Sequence, residues 1–256
     1  MRLIADKMSS PSRNLVIDVG NSGTKAVCFQ RDEIMLPVHR FEPGDWISID
    51  GMVTNLGVNN IIYSTVANVP PQRWTDKWKA ASLGVYFLDR NRPLPFTSAY
   101  RTMDTLGQDR IAAVAGTLGK VDTARLVVDA GSCITMDLVD RDHRYLGGNI
   151  SPGVHLRLLA MHEHTARLPL VDTGRVEESI GQSTEQALRH GGQLGAVYEI
   201  EGLFSRLVLL YPDLQIVLTG GDASLLLPHF SVAVLSYPNL VLCGLNQILS
   251  TYVNEL

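Results

Sequence analysis

Stretches rich in apolar residues fall into two kinds along this chain, and the two kinds alternate. Short runs bounded by turn residues read as strands: Leu15–Ile17, Ala26–Phe29, the IIYSTVANV segment within 51–69, Leu126–Val128, Met136–Val139, Arg144–Leu146 and Leu214–Leu218. Several are apolar without a break, as strands buried on both faces are. Longer stretches with an apolar stripe read as helices: the alanine-rich Ile111–Leu118, Val154–His164, the run opened by Thr184 and continued through Gly191–Leu210, and Leu240–Tyr252. Further strand is expected over Glu33–Ile49, broken at Pro37 and at Pro43, Gly44 and Asp45, and Gly147–Gly153 reads as a turn into the helix at Val154. Strands and helices in alternation make an α/β chain.

Chemistry first appears where the first strand ends. In NLVIDVGNSGTK, residues 14–25, Asp18 closes an apolar run and Gly20, Asn21, Ser22 and Gly23 follow. Such residues supply positive-φ tolerance and exposed N–H groups that let a backbone curl around an anion, and Lys25 adds a charge. A strand follows at once, so the loop is a hairpin, unlike the strand-to-helix turn of a P-loop.

A second copy strengthens this reading. RLVVDAGSCITMDL, residues 125–138, lies beneath NLVIDVGNSGTKAV, residues 14–27, at a constant offset of 111, with Asp18 over Asp129, Gly20 over Gly131 and Thr24 over Thr135. Two apolar strands, each ending in D-x-G and a small hydroxylic residue, point to a duplicated domain whose two loops face one cleft. A third glycine-rich turn, Thr219, Gly220, Gly221 and Asp222, follows Leu214–Leu218 and leaves room for a nucleoside beside the main chain. Two phosphate loops and a nucleoside loop fit duplicated RNase H-like domains of the actin-like ATPase and sugar kinase kind, divided here into residues 14–120 and 121–256.

The stretch YRTMDTLGQDRIAAVAGTLGK, residues 100–120, carries the candidate acceptor chemistry. Asp109 stands at the start of a helix, where an acid is ordinarily a cap. Arg110 beside it changes the picture, because an acid that takes a hydroxyl proton and a guanidinium that pairs with a carboxylate suit a kinase for an acidic alcohol. Thr184, next to Ser183 and followed by Glu185 and Gln186, reads first as part of a helix cap. His155, His162 and His164 do not form a metal set, since 155 and 162 are two turns apart and 162 and 164 lie on different helix faces.

Composition narrows the partners. A 256-residue chain that is 45% hydrophobic fills two cores, and a net charge of −4 gives no attraction to nucleic acid or to an anionic membrane. Trp74, Trp78, Tyr86 and Phe87 are expected to be core or interface and not a base-stacking surface, because no extended basic stripe runs through all four, the basic residues near them being confined to 73–79. Three cysteines without paired spacing argue against disulfides and zinc. Residues 1–13 read as a flexible leader lacking a signal-peptide core, and a cytoplasmic protein is expected.

With these motifs in hand, the chain resembles the type III pantothenate kinases, members of the acetate kinase, sugar kinase and actin superfamily. The family's D-x-G-N-T-x-x-K stands here as DVGNSGTK, its G-x-D-R as GQDR, its D-A-G-T as DAGS and its G-G-x-x-x-P-G as GGNISPG; T-G-G-D also matches. The resemblance implies ATP-dependent phosphorylation of pantothenate, the first step of coenzyme A synthesis. It implies that Asp18, Val19, Gly20, Asn21, Ser22, Gly23, Thr24 and Lys25 bind ATP phosphates, with Asp18 also on Mg²⁺ and Ser132 touching ATP. Asp109 would be the base, Tyr100, Gly107, Gln108, Arg110 and Thr184 would hold pantothenate with it, and Asp129 would coordinate K⁺ or NH₄⁺. A homodimer is implied as well. Ser22 and Ser132 replace the family's usual threonines and keep the hydroxyl. The rival readings are a non-catalytic regulator on the same fold, disfavoured by intact Asp18, Lys25, Asp109, Arg110 and Asp129, and a sugar or acetate kinase, disfavoured by GQDR.

Overall fold

A computed structural model describes residues 12–20, 23–65 and 69–254; of the expected leader only Ser12 and Arg13 lie among them. The chain forms two compact units. One runs to Pro93 and takes in the chain from Leu245, and the other is Leu94–Gly244, so the segment 94–120, read above with the first half, lies in the second unit.

In the first unit β1 (Arg13–Gly20) and β2 (Gly23–Gln30) form the expected hairpin, paired from Arg13↔Gln30 to Gly20↔Gly23. The short β3 (Glu33–Ile34) and β4 (His39–Phe41) both pair with β2. The expected strand up to Ile49 gives way to a helix, α1 (Trp46–Leu56), because Asp45 caps it through a 3.1 Å bond from the Ser48 N–H and Trp46, Ile49 and Val53 fall on one buried face. Gly57, at φ 57°, ends it in the left-handed region that glycine favours. Then β5 (Asn60–Thr65) returns parallel to β1, and α2 (Gln72–Ala80) leads to β6 (Gly84–Phe87), parallel to β5. Leu15, Ile17, Ala26 and Cys28 alternate onto the face covered by Trp46, Ile49, Val53 and Trp78.

The second unit repeats this wiring. After β7 (Thr97–Ser98), a 3-10 turn (Met103–Thr105) and α3 (Gln108–Ala115), the chain makes the antiparallel β8 (Arg125–Ala130) and β9 (Cys133–Val139). A third antiparallel strand, β10 (Arg144–Pro152), lies outside β9, and α4 (Val154–Glu163) and the long α5 (Thr184–Leu207) follow. The strand β11 (Gln215–Thr219) runs parallel to β8, and beyond it come α6 (Ala223–Leu226) and β12 (Val234–Ser236), parallel to β11. The sheet orders, β3-β2-β1-β5-β6 with β4 also on β2, and β12-β11-β8-β9-β10-β7, are the same pattern of a hairpin, an outer antiparallel strand and parallel strands beyond the first strand. The final helix, α7 (Leu240–Asn254), ends the described chain.

Two departures from the sequence reading concern the site. Gly147–Pro152 is strand and not turn: it continues β10 along β9 from Gly147↔Leu138 to Pro152↔Cys133, past a register shift that Gly147, at φ 128°, absorbs. The constant offset of 111 also fails beyond the loops. In the first hairpin Lys25 faces Asp18, whereas in the second Thr135 faces Asp129, because the second turn places its strands one residue out of step. A one-residue slip exchanges sheet faces, so Thr135 takes the place of Lys25 and not of Thr24.

Candidate active site

The first hairpin presents one charged pair. Asp18, half-buried near the end of β1, accepts a 3.1 Å bond from the Ser64 hydroxyl of β5 and has Lys25 as its cross-strand partner. Among the described residues Lys25 makes no ion pair. Val19 and Thr24 face each other on the buried side, and the Thr24 hydroxyl has no hydrogen-bond partner there. Gly20 pairs with Gly23, whose φ of 147° no ordinary residue adopts without strain. Asn21 and Ser22 lie outside the described residues.

In the second unit three stretches separated in sequence meet. Asp129 is half-buried at the end of β8, and a Cβ on Gly220 would come within 2.5 Å of its Oδ1 and collide with the Ala130 carbonyl. The Asp222 N–H donates to that same carbonyl at 2.9 Å. The exposed Ser132 accepts from the Gly153 N–H at 3.1 Å, so the start of α4 rests on the DAGS loop. Burial pushes the Asp222 carboxyl up, and the charge of His155 pulls against it.

Asp109 stands in the first turn of α3, half-buried, with its Oδ1 accepting from the Arg110 N–H at 2.9 Å. Gly107 is the N-cap, and a Cβ there would overlap the Asp109 carboxylate. Gln108 is buried. Arg110 is only 4% exposed, and its guanidinium is committed within the protein. Its Nε lies 3.0 and 3.2 Å from the two Asp137 carboxylate oxygens and its Nη2 donates at 2.6 Å to Oδ1 and at 2.9 Å to the Tyr145 hydroxyl. The Tyr145 hydroxyl in turn donates to Asp137 at 2.8 Å. Tyr100 covers the group, its ring 5.6 Å from that of Tyr145 and 5.7 Å from the guanidinium carbon.

Electrostatics in this cluster follow from burial. Desolvation works against the charge of Arg110, and the Asp137 carboxylate outweighs it, so the guanidinium stays protonated. Burial drives the Asp137 carboxyl up against the donors from Arg110 and Tyr145, with Asp109 adding to the rise, and burial and Asp137 push the Tyr145 hydroxyl well above its ordinary range. Sequence reading missed Asp137 and Tyr145; the one signal was an isolated acid in the apolar strand ITMDLV. Thr184 sits apart from the cluster's hydrogen bonds, exposed in the first turn of α5 behind the Ser183 cap. Among the described residues no group of three or more His, Cys, Asp or Glu could hold a metal ion, and no helix is long and apolar enough to cross a membrane.

The family model for type III pantothenate kinase matches residues 14–206, a span that includes both hairpins, the GQDR helix and the GGNISPG strand. The chain belongs to the type III pantothenate kinase family. A type III pantothenate kinase of Bacteroides fragilis is 36% identical over 238 residues, covering 93% of this chain and 97% of the relative. One of Porphyromonas gingivalis is 37% identical over 243 residues, covering 93% and 98%.

Solved structures extend the likeness of this pantothenate kinase in fold alone. A Campylobacter jejuni protein assigned to the Baf family of transcriptional activators superposes with a TM-score of 0.58 at 24% identity, covering 94% of this chain and 99% of that one. A Listeria monocytogenes protein assigned as an N-acetylmannosamine kinase gives 0.53 at 15%, with 94% and 99% covered. The mixed α/β architecture with two sheets is thus that of the sugar kinases and actin-like ATPases, as the duplicated loops implied.

Proposed function

We propose that this pantothenate kinase uses Asp109 to aim and deprotonate the primary hydroxyl of pantothenate. The hydroxyl oxygen attacks the γ-phosphorus of ATP, the bond to the β-phosphate oxygen breaks, and 4′-phosphopantothenate and ADP result, the first step toward coenzyme A. The observation that carries this assignment is the setting of Asp109, a half-buried carboxylate fixed at a helix start beside the anchored Arg110. Phosphoryl transfer asks little covalent work of the protein and much positioning and charge balance.

The other site residues take the remaining roles. Lys25 and the backbone N–H groups around Gly20, Asn21, Ser22 and Gly23 take ATP phosphates, Val19 and Thr24 contribute through their backbone because their side chains are buried, and Ser132 touches the nucleotide. Tyr100, Gly107, Gln108, Arg110 and Thr184 hold the acceptor. Mg²⁺ suits Asp18, an oxygen donor at a loop for phosphates, and bound there it would neutralise charge on the transferring group. A monovalent cation, K⁺ or NH₄⁺, suits Asp129, since its Oδ1 and the Ala130 carbonyl both crowd the bare side of Gly220 and are the oxygen donors a hard cation prefers. The enzyme acts in the cytoplasm as a homodimer, which sedimentation would test, and has no nucleic-acid partner.

A coupled assay for ADP, with ATP, Mg²⁺, K⁺ and pantothenate, tests the function. Pantothenate-dependent ADP release is expected. Its absence from folded protein, or equal release with simple sugars or acetate, rejects the assignment.

A further inference from the structure

We propose that Asp137 and Tyr145 are positioning residues for the acceptor site, holding the Arg110 guanidinium in the one orientation that recognises pantothenate. This rests on the pantothenate kinase reading and goes beyond it, because neither residue belongs to a motif of the sequence.

Asp137 is completely buried in the middle of β9 and Arg110 nearly so in α3, and a buried ion pair is often no more stabilising than a well-packed apolar pair of the same volume. What such a pair does supply is fixed geometry. Arg110 offers a rigid planar fork, and its Nε and Nη2 edge is pinned by both Asp137 oxygens and by Tyr145, which closes the triangle by donating to Asp137. Tyr100 lies against the guanidinium and adds to the support of its charge, so the orientation of the whole fork is defined by the pinned edge.

The backbone is cut back to make room for this. A Cβ on Gly148 would run into the Met136 carbonyl and lie 2.6 Å from the Asp137 carboxylate and 2.9 Å from Arg110 Nη2. Gly148 belongs to the GGNISPG segment, whose strand form sets Gly148 opposite Asp137. Tyr100 closes one side of the cluster over both Tyr145 and the guanidinium. Because Asp137 balances its charge, Arg110 meets the acceptor with directed N–H bonds and not with an unpaired positive charge. Asp109, one residue earlier on the same turn, is oriented by the same anchor.

The test is a kinetic double-mutant cycle on the full enzyme. Tyr145→Phe removes one hydroxyl that bonds two charged groups, and it should raise KM for pantothenate about tenfold, with KM for ATP within about twofold and the larger effect on KM than on kcat. Asp137→Asn should do the same more strongly if it folds. In an Arg110→Lys background, which keeps a partner charge for Asp137 but loses the fork, Tyr145→Phe should change KM for pantothenate by less than about twofold. An unchanged pantothenate KM in folded Tyr145→Phe, an equal rise in both KM values, or the same effect in both backgrounds would overturn the proposal. Wild-type enzyme inactive on pantothenate would sink the functional reading itself; an active wild type with unmoved variants sinks only this inference.

Discussion

Lys25 stands directly opposite Asp18 across β1 and β2, and the corresponding place opposite Asp129 is held by Thr135. The two hairpins share a wiring and differ in charge, so of these two cross-strand places only the first holds a lysine, the group proposed for the ATP phosphates. Lys25→Ala should therefore raise KM for ATP by roughly 10- to 100-fold, the worth of a hydrogen bond to a charged group, with KM for pantothenate nearly unmoved. Steady-state kinetics with each substrate varied checks this, and an unchanged KM for ATP would remove Lys25 from the phosphate site.

The strands and their loops were legible because a continuous apolar run ending in D-x-G is a local signal, as Leu15–Gly20 and Leu126–Gly131 illustrate. Three features were not, each because its cause is non-local. Trp46–Ile49 is too short and too apolar to separate helix from strand without seeing Asp45 cap Ser48. Gly147–Pro152 looks like a turn by composition, and only pairing with Cys133–Leu138 makes it a strand. Arg110 read as an open hand for a carboxylate; its commitment to Asp137 crosses 27 residues and depends on β9 presenting that acid to α3.

Helix α3, which carries Asp109, crosses the start of α7 at two glycines. A Cβ on Gly244 would overlap the Ala112 carbonyl and sit 2.6 Å from the Gly116 N–H nitrogen, and one on Gly116 would overlap the Leu240 carbonyl. These contacts are with backbone, which cannot rotate away. Gly244→Ala should cost about 1–3 kcal/mol of stability. Gly202→Ala in α5, where nothing lies within 4 Å, should be neutral or stabilise by up to about 1 kcal/mol through helix propensity. Chemical denaturation of the two variants side by side decides, and equal stabilities would show that the crossing is loose.

Cys28 and Cys133 should behave oppositely towards an alkylating agent. Cys133 is exposed beside Ser132, while Cys28 is 1% exposed and burial pushes its thiol above the ordinary 9.0, against a smaller opposing pull from Arg13. Mass spectrometry after iodoacetamide at pH 8 should find Cys133 modified and Cys28 protected until the protein unfolds. The same shift fixes a sign: a group that ionises less readily when folded contributes stability that is intact below its unfolded pKa and lost as pH rises beyond it. Tyr63, also raised by burial from 10.0, acts in the same direction. Melting temperature should fall above about pH 9, and Cys28→Ala should lessen the first part of that fall. A flat profile to pH 11 would contradict it.

Asp109→Asn isolates the chemical step from the architecture. The amide oxygen still accepts from the Arg110 N–H, so the first turn of α3 and the Arg110 anchor to Asp137 and Tyr145 stay in place. In the proposed mechanism the variant loses the capacity to take a proton from the acceptor hydroxyl, a contribution of about 10²- to 10⁴-fold in general base catalysis. Turnover should drop by at least ~10²-fold while KM for both substrates changes little, the mark of an interaction made chiefly in the transition state. Binding of pantothenate measured by calorimetry should persist in the variant. Near-normal turnover would show that another group accepts the proton, and a loss of pantothenate binding equal to the loss of turnover would make Asp109 a binding residue instead of the base.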